Sequence, residues 1–231
     1  MSFPKDFLWG TATASYQIEG GRHEDGTGRN IWDDYCEQPG KILDRSSGDV
    51  ACDHYHRFRE DVELMASLGL KNYRFSVSWA RILPEGTGKV NEKGIAFYNA
   101  LIDCLIEHGI RPFMTLYHWD LPLEIYRKGG WENPDIIEWF AEYTRIVVDA
   151  LSDKVSYWIT INEPQMFIGV ANGVGAGLAP YEKKDPESLI RMSHHVLLAH
   201  GRAVMTIRKF AKKTPKIGMA PTGDVFLPEN D

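Results

Sequence analysis

The sequence predicts an α/β fold of parallel strands joined by helices, and three observations carry that prediction. Strand-like apolar runs alternate with segments of helical periodicity. Glycines and Asn-Pro or Asp-Pro pairs fall between them. No linker-like composition shift or low-complexity stretch divides the chain. An order of βαβαβαβαβ implies parallel strands with right-handed crossovers.

Phe7 to Ala14 reads as the first strand, followed by a long polar, glycine-rich loop. Asp53 to Leu68 reads as a helix, with Asp53 as its cap, Tyr55, Phe58, Val62 and Met65 as its buried stripe and Gly69 as its stop. Tyr73 to Val77 is the second strand. Asn91 then caps a helix bearing Ile95, Tyr98, Leu101, Ile102 and Leu105, which Gly109 ends. Pro112 to Tyr117 is the third strand. Asn133 caps the next helix, with Pro134 in its first turn. Tyr157 to Ile161, with Val155 before it, is an apolar run that reads as a buried fourth strand. Asp185-Pro186 opens a long helix through Phe210, and Lys216 to Ala220 is the fifth strand. These five strands occupy the whole sequence, whereas a closed eight-stranded barrel needs about 250 residues at a closer spacing. The chain ends at Gly223 to Asp231, just past the fifth strand, and reads as unfinished.

With 43% hydrophobic and 25% charged residues in a chain of 231, the composition supports a sizeable core. Seven Trp and ten Tyr supply flat surfaces for stacking on a ligand, or simply a large core. A net charge of −6 argues against nucleic acid, which requires a basic face. The one lysine cluster, Lys209, Lys212, Lys213 and Lys216, sits where it complements a helix dipole. Three cysteines cannot all pair and lack metal-ligand spacing, so they read as reduced thiols of a cytoplasmic protein. The N-terminus carries no signal-peptide pattern, and no apolar run approaches a membrane span of about 18 residues. His54 and His56 lie two apart on a helix, and His194 and His195 are adjacent. Neither pair shares a face, so no metal is expected.

Chemistry collects at the strand ends. Gln17 and Glu19 follow the first strand, Arg74 lies on the second, which runs on to Trp79, His118-Trp119-Asp120 ends the third, and Asn162-Glu163 ends the fourth. Pro164 forbids that last strand from continuing. Amide, guanidinium, imidazole, indole and carboxylate together suit a sugar, whose hydroxyls need donors and acceptors while its ring face stacks on indole. A carboxylate ending a buried strand is a general-acid candidate, because partial burial raises its pKa. The plain alternative is a surface Asn-Glu-Pro turn. A buried Arg74 would demand a carboxylate partner.

Phe7-Leu8-Trp9-Gly10-Thr11-Ala12-Thr13-Ala14-Ser15-Tyr16-Gln17-Ile18-Glu19-Gly20 resembles the N-terminal signature of glycoside hydrolase family 1, the β-glucosidases. Tyr73-Arg74-Phe75-Ser76, His118-Trp119-Asp120-Leu121-Pro122, Gly130-Trp131 and Thr160-Ile161-Asn162-Glu163-Pro164 follow in that family's order and spacing. The resemblance implies that the chain is one partial domain, residues 1–231: the N-terminal portion, about strands one to five, of a (β/α)8 TIM barrel that hydrolyses β-glycosides with retention. It implies Glu163 as acid/base. Gln17, His118 and Asn162 would bind sugar hydroxyls, with Asn162 on the 2-hydroxyl and Trp119 lining the pocket. Arg74 would sit beside the nucleophilic carboxylate. No cofactor or metal is implied.

Retention needs two carboxyl groups about 5–5.5 Å apart. The family's nucleophile lies in an Ile-Thr-Glu-Asn-Gly-like motif on the seventh strand, and this sequence has none. Glu19 and Asp120 are rim carboxylates, but the resemblance makes neither a nucleophile. In the loop after the acid/base, Gly173 to Pro180, Leu178 stands where the family has histidine and Tyr181 where it has glycine. Three readings follow. One is a β-glycosidase portion that acts on a small β-glycoside or oligosaccharide once the missing segment is supplied, by a longer chain or by a second, C-terminal half-barrel polypeptide. Another is an inactive, carbohydrate-binding or self-associating half barrel. The third is a remnant with no stable fold of its own.

Overall fold

The computed structural model describes residues 3–174 and 177–223. In chain order the elements are β1 (Thr11–Ala12), α1 (Ser15–Ile18), α2 (Ile31–Glu37), α3 (His54–Ser67), β2 (Asn72–Ser76), α4 (Trp79–Ile82), α5 (Glu92–Glu107) and β3 (Arg111–Tyr117). After these come α6 (Leu123–Arg127), α7 (Ile136–Leu151), β4 (Tyr157–Asn162), α8 (Pro186–Phe210) and β5 (Lys216–Ala220). The five strands form one parallel sheet in the order β1-β2-β3-β4-β5. The expected tail from Asp224 to Asp231 lies outside the described residues.

The apolar stripes named from periodicity meet the sheet. Phe58 and Val62 of α3, and Tyr98, Leu101, Ile102 and Leu105 of α5, are buried with Phe75, Met114 and Leu116 in one core. Trp79 belongs there too, and not at the strand-end pocket. It opens α4, stacks on Tyr143 of α7 at 4.8 Å between ring centroids, and donates its indole N–H to the Gly86 carbonyl. Burying so large an aromatic makes it a packing anchor, worth about 3–5 kcal/mol against alanine.

Boundaries depart from expectation where local chemistry competes. β1 is two residues long, because Phe7 and Trp9 pack on Phe3 and on each other instead of entering the sheet. Asp53 does not cap α3. Its backbone is left-handed, with φ of 57°, and its carboxylate bonds the His56 imidazole at 2.6 Å. Asn91 donates its amide to the carbonyls of Asp25 and Arg81 and caps no α5 N–H. Asn133 accepts from the Asp135 N–H at 2.9 Å, an Asx turn that delays α7 to Ile136 and leaves Pro134 outside it. Asp185 does cap α8, accepting from Ser188 N–H at 2.8 Å. Of the lysine cluster, only Lys209 lies in the last turn of α8. Lys212 reaches the Asp149 carbonyl, and Lys216 reaches the Tyr157 hydroxyl from β5.

Two faces carry little cover. β5 pairs with β4 alone among the described residues, and α8 exposes Ile190, Leu197, Leu198 and Met205. No helix is long and apolar enough to cross a membrane among the described residues.

Candidate active site

The ends of β2, β3 and β4 converge on Asn162. Its side-chain oxygen accepts from Arg74 Nη2, and its amide nitrogen faces His118 Nε2 at 3.1 Å and Glu163 Oε2 at 3.2 Å. The Trp119 indole donates to the Asn162 carbonyl at 2.9 Å. Arg74, His118, Trp119, Asn162 and Glu163, drawn from three strands, therefore form one connected cluster.

The backbone is shaped to present them. Between Ile159↔Gly218 and Asn162↔Ala220, β4 advances three residues while β5 advances two. That bulge re-aims the last side chains of the strand. Glu163 still donates its N–H to Ala220 at 2.8 Å, but its φ of 43° is left-handed. A π-helical segment from Met166 to Val174 follows. Trp119 is likewise left-handed, with φ of 74°. Two bulky non-glycine residues in that region each cost about 1–3 kcal/mol, a strain characteristic of sites under functional constraint.

Donor inventory assigns the protons. Arginine only donates, so Asn162 presents its oxygen to Arg74 and its NH2 to His118. His118 Nε2 then accepts, and Nδ1 carries the hydrogen of a neutral ring. Burial, with the Arg74 charge adding to it, pushes the His118 imidazole down to about 4, in agreement with that assignment. Nδ1 is buried and has no partner among the described residues. Among the described residues Arg74 has no carboxylate ion pair, contrary to expectation. It bonds the Thr115 hydroxyl at 2.8 Å and Asn162, and burial pulls it below its ordinary value against the opposing charge of Glu163.

Gln17, on α1, is exposed and stands apart from that network, since its side chain bonds none of the described residues. It joins His118 and Trp119 along a different feature, a cleft of about 370 Å³. Tyr16, Trp32, Cys36, Ile42, Gly48 and Leu178 also line this cleft, whereas Arg74, Asn162 and Glu163 do not. Ile42, Gly48 and Leu178 come from loops and the rest from two short helices, none with a periodic signal, and only the aromatic character of Tyr16 and Trp32, stacked at 5.8 Å, points to them. Leu178 thus faces the cleft, while Gly175 and Ala176 of the same loop lie outside the described residues.

The two rim carboxylates are not at the pocket. Glu19 is buried against Arg81 at 3.1 Å and accepts from Tyr98 at 2.6 Å. Asp120 is fully buried and accepts from the Ser15 hydroxyl at 2.8 Å. His54 bonds Asp61 and His56 bonds Asp53 and Glu24, which occupies both as partners of carboxylates. The three cysteines are free, with Cys104 buried.

Comparison with known proteins gives a consistent family. The chain is 49% identical to β-glucosidase A of Thermotoga maritima over 99% of its own length and 51% of that protein. It is 46% identical to aryl-phospho-β-D-glucosidase BglC of Bacillus subtilis over 94% of itself and 45% of that protein. The structure of the Thermotoga maritima β-glucosidase in complex with castanospermine superposes with a TM-score of 0.94 at 49% identity, covering 99% of this chain and 51% of that one. The chain spans about half the length of the curated relatives it matches. Its five-stranded parallel sheet, in chain order, is the N-terminal portion of a (β/α)8 barrel. The profile described as "Glycosyl hydrolase family 1" matches residues 1–231, and the chain belongs to that family.

Proposed function

We propose that this chain supplies the acid/base half of a retaining β-glycosidase acting on β-glucosides or related β-glycosides. The observation that carries the reading is the Asn162 junction, which ties Glu163, Arg74, His118 and Trp119 into one strand-end cluster. The relatives named above are β-glucosidases, which supports the reaction class. Glu163 protonates the departing glycosidic oxygen and then activates water against the glycosyl-enzyme. Asn162, Gln17 and His118 bond the sugar hydroxyls, Asn162 at the 2-hydroxyl, where a contact that strengthens in the transition state contributes several kcal/mol. Trp119 forms the wall. Arg74, whose only hydrogen-bond partners among the described residues are neutral, favours the ionised form of a nucleophilic carboxylate brought by a C-terminal half barrel. We assign residues 1–231 to one partial barrel domain working in the cytoplasm.

The test joins this chain to the C-terminal half of Thermotoga maritima β-glucosidase A and assays an aryl β-glucoside. Turnover is expected from the joined protein and not from the chain alone. Glu163→Gln lowers it by about 10²–10⁴-fold, with the melting temperature unchanged. Turnover by the chain alone, abolished by Glu163→Gln, refutes the two-part reading.

The exposed apolar side chains of α8 and the single-sided pairing of β5 favour a second reading, a self-associating carbohydrate-binding half barrel. Sedimentation with glucose titration decides it, because a monomer that binds no glucose removes the idea.

A further inference from the structure

A fully buried carboxylate with half its acceptor capacity idle needs an explanation. Asp120 is 0% exposed; Oδ2 accepts from Ser15, and Oδ1 has no partner among the described residues. Such a group contributes poorly to stability, and an apolar residue of similar shape is ordinarily as good or better. Burial pushes this carboxyl up to about 7, even though the Ser15 bond and the Arg22 charge act in the opposite direction. What the residue does accomplish is visible in what it connects.

Asp120 sits on a fixed segment. Beside it Leu121 accepts from the Ile31 N–H at 3.0 Å, and Leu123 donates to the Arg29 carbonyl at 2.9 Å, so this stretch is laced to α2. Ser15 opens α1, a single turn of four residues whose third member is Gln17. Its other ties run elsewhere: Ser15 N–H to the Ser76 hydroxyl at 2.7 Å, the Tyr16 hydroxyl to the Gly48 N–H at 3.3 Å and to Cys36 Sγ, and Glu19, just past its end, to Arg81 and Tyr98. Among the described residues, Ser15–Asp120 is the one hydrogen bond between α1 and the turn that carries His118 and Trp119. Those two residues and Gln17 face one another along the same cleft.

We propose that Asp120 is a positioning residue, whose grip on Ser15 sets the placement of Gln17 relative to His118 and Trp119 across the cleft. The proposal rests on the sugar-binding reading of Gln17 and His118 given above. Asp120 touches no substrate and acts through α1. The other bonds of α1 anchor it to neighbours that carry neither His118 nor Trp119, so the Ser15–Asp120 bond alone sets it against them, and misplacing a binding group by about 1 Å costs on the order of 10²-fold.

The experiment is a mutant cycle read in two ways. In the joined enzyme, Ser15→Ala and Asp120→Leu are each expected to lower kcat/KM about tenfold. In a Gln17→Ala background they are expected to lower it no further, because a residue acting through Gln17 has nothing left to position. Asp120→Asn, which keeps an acceptor for Ser15, recovers most of the loss. Losses that multiply in the Gln17→Ala background overturn the proposal.

In the 231-residue chain itself, ¹⁵N spectra follow the Gln17 side-chain amide and the His118 imidazole. Both are expected to shift in Ser15→Ala and in Asp120→Leu, and to stay near their wild-type positions in Asp120→Asn. Unmoved resonances overturn the proposal whether or not the joined protein turns over glycoside, so failure of the glycosidase reading is seen separately. Ser15→Ala deletes one oxygen and carries the test if Asp120→Leu does not fold.

Discussion

Arg74 and Arg81 are both arginines in the interior, seven positions apart, and their surroundings are opposite. Arg81 is fully buried and bonded at each of its three guanidinium nitrogens. It pairs with Glu19 at 3.1 Å, donates to the Thr27 hydroxyl and the Gly20 carbonyl, and lies 4.2 Å above the Tyr55 ring. Arg74 is only partly buried and holds one hydroxyl and one side-chain amide oxygen, with no carboxylate among the described residues bonded to it. Arg81 donates from all three guanidinium nitrogens, whereas among the described residues Arg74 donates from Nε and Nη2 alone. The corner around Arg81 is a structural knot, whereas the strand ends around Arg74 are a place where binding capacity has been left open.

The widest separation between the two regions comes from removing Arg81. Arg81→Ala leaves the buried Glu19 carboxylate without its cation, bonded to the Tyr98 hydroxyl alone, and is expected to cost about 3–5 kcal/mol in urea denaturation of the chain. A cost below about 1 kcal/mol would erase the distinction drawn between the arginines.

Next in size is a pH effect that sets Asp120 against His118. The folded-state pKa of Asp120 is raised from 3.8 to about 7, so its contribution to stability is fully present below 3.8 and is lost as pH rises through 7. The difference from Asp120→Asn amounts to at most about 4 kcal/mol across that window. His118 runs the other way. Its pKa is lowered from 6.5 to about 4, so its contribution is present above 6.5 and is lost as pH falls through 4, by at most about 3 kcal/mol relative to His118→Gln. Thermal melts of wild type and both variants from pH 4 to 8 read both slopes.

Arg74→Met sharpens the contrast from the other side. It removes a partly desolvated charge that lacks an ion pair but strands Thr115 and Asn162, so chemical denaturation is expected to show a change within about 1 kcal/mol. The smallest effect belongs to the surface. His56 bridges Asp53 and Glu24 in water, and both carboxylates raise its pKa, yet His56→Gln is expected to shift stability by less than about 0.5 kcal/mol.

What could be read from residues alone divides along similar lines. β5 and α8 have the expected bounds, because each is a periodic segment closed by strong punctuation, Asp185-Pro186 at the head of α8. The strand-end set of Arg74, His118, Trp119, Asn162 and Glu163 was legible as a constellation, because parallel strands bring their carboxyl ends together whatever the loops do. Three caps failed for one reason. Asp53, Asn91 and Asn133 have side chains short enough to bond several nearby groups, and the helix amide was only one option. Glu19 and Trp79 read as strand-end residues because they follow strands. The chain turns into α1 and α4 at once and carries both into the interior. The Ser15–Asp120 bond spans 105 residues, and no local pattern announces a contact of that range.

Each strand of the sheet lies beside its predecessor in the sequence, β1 through β5 in turn. A sheet with that order can be laid down progressively as the polypeptide leaves the ribosome, since every new strand finds its template already made. Once β5 has docked, the Asn162–Glu163 corner is complete, held by the Ala220 carbonyl on one side and His118 on the other. The proton donor of the proposed reaction would therefore be set in place during synthesis, ahead of any segment that supplies the opposing carboxylate.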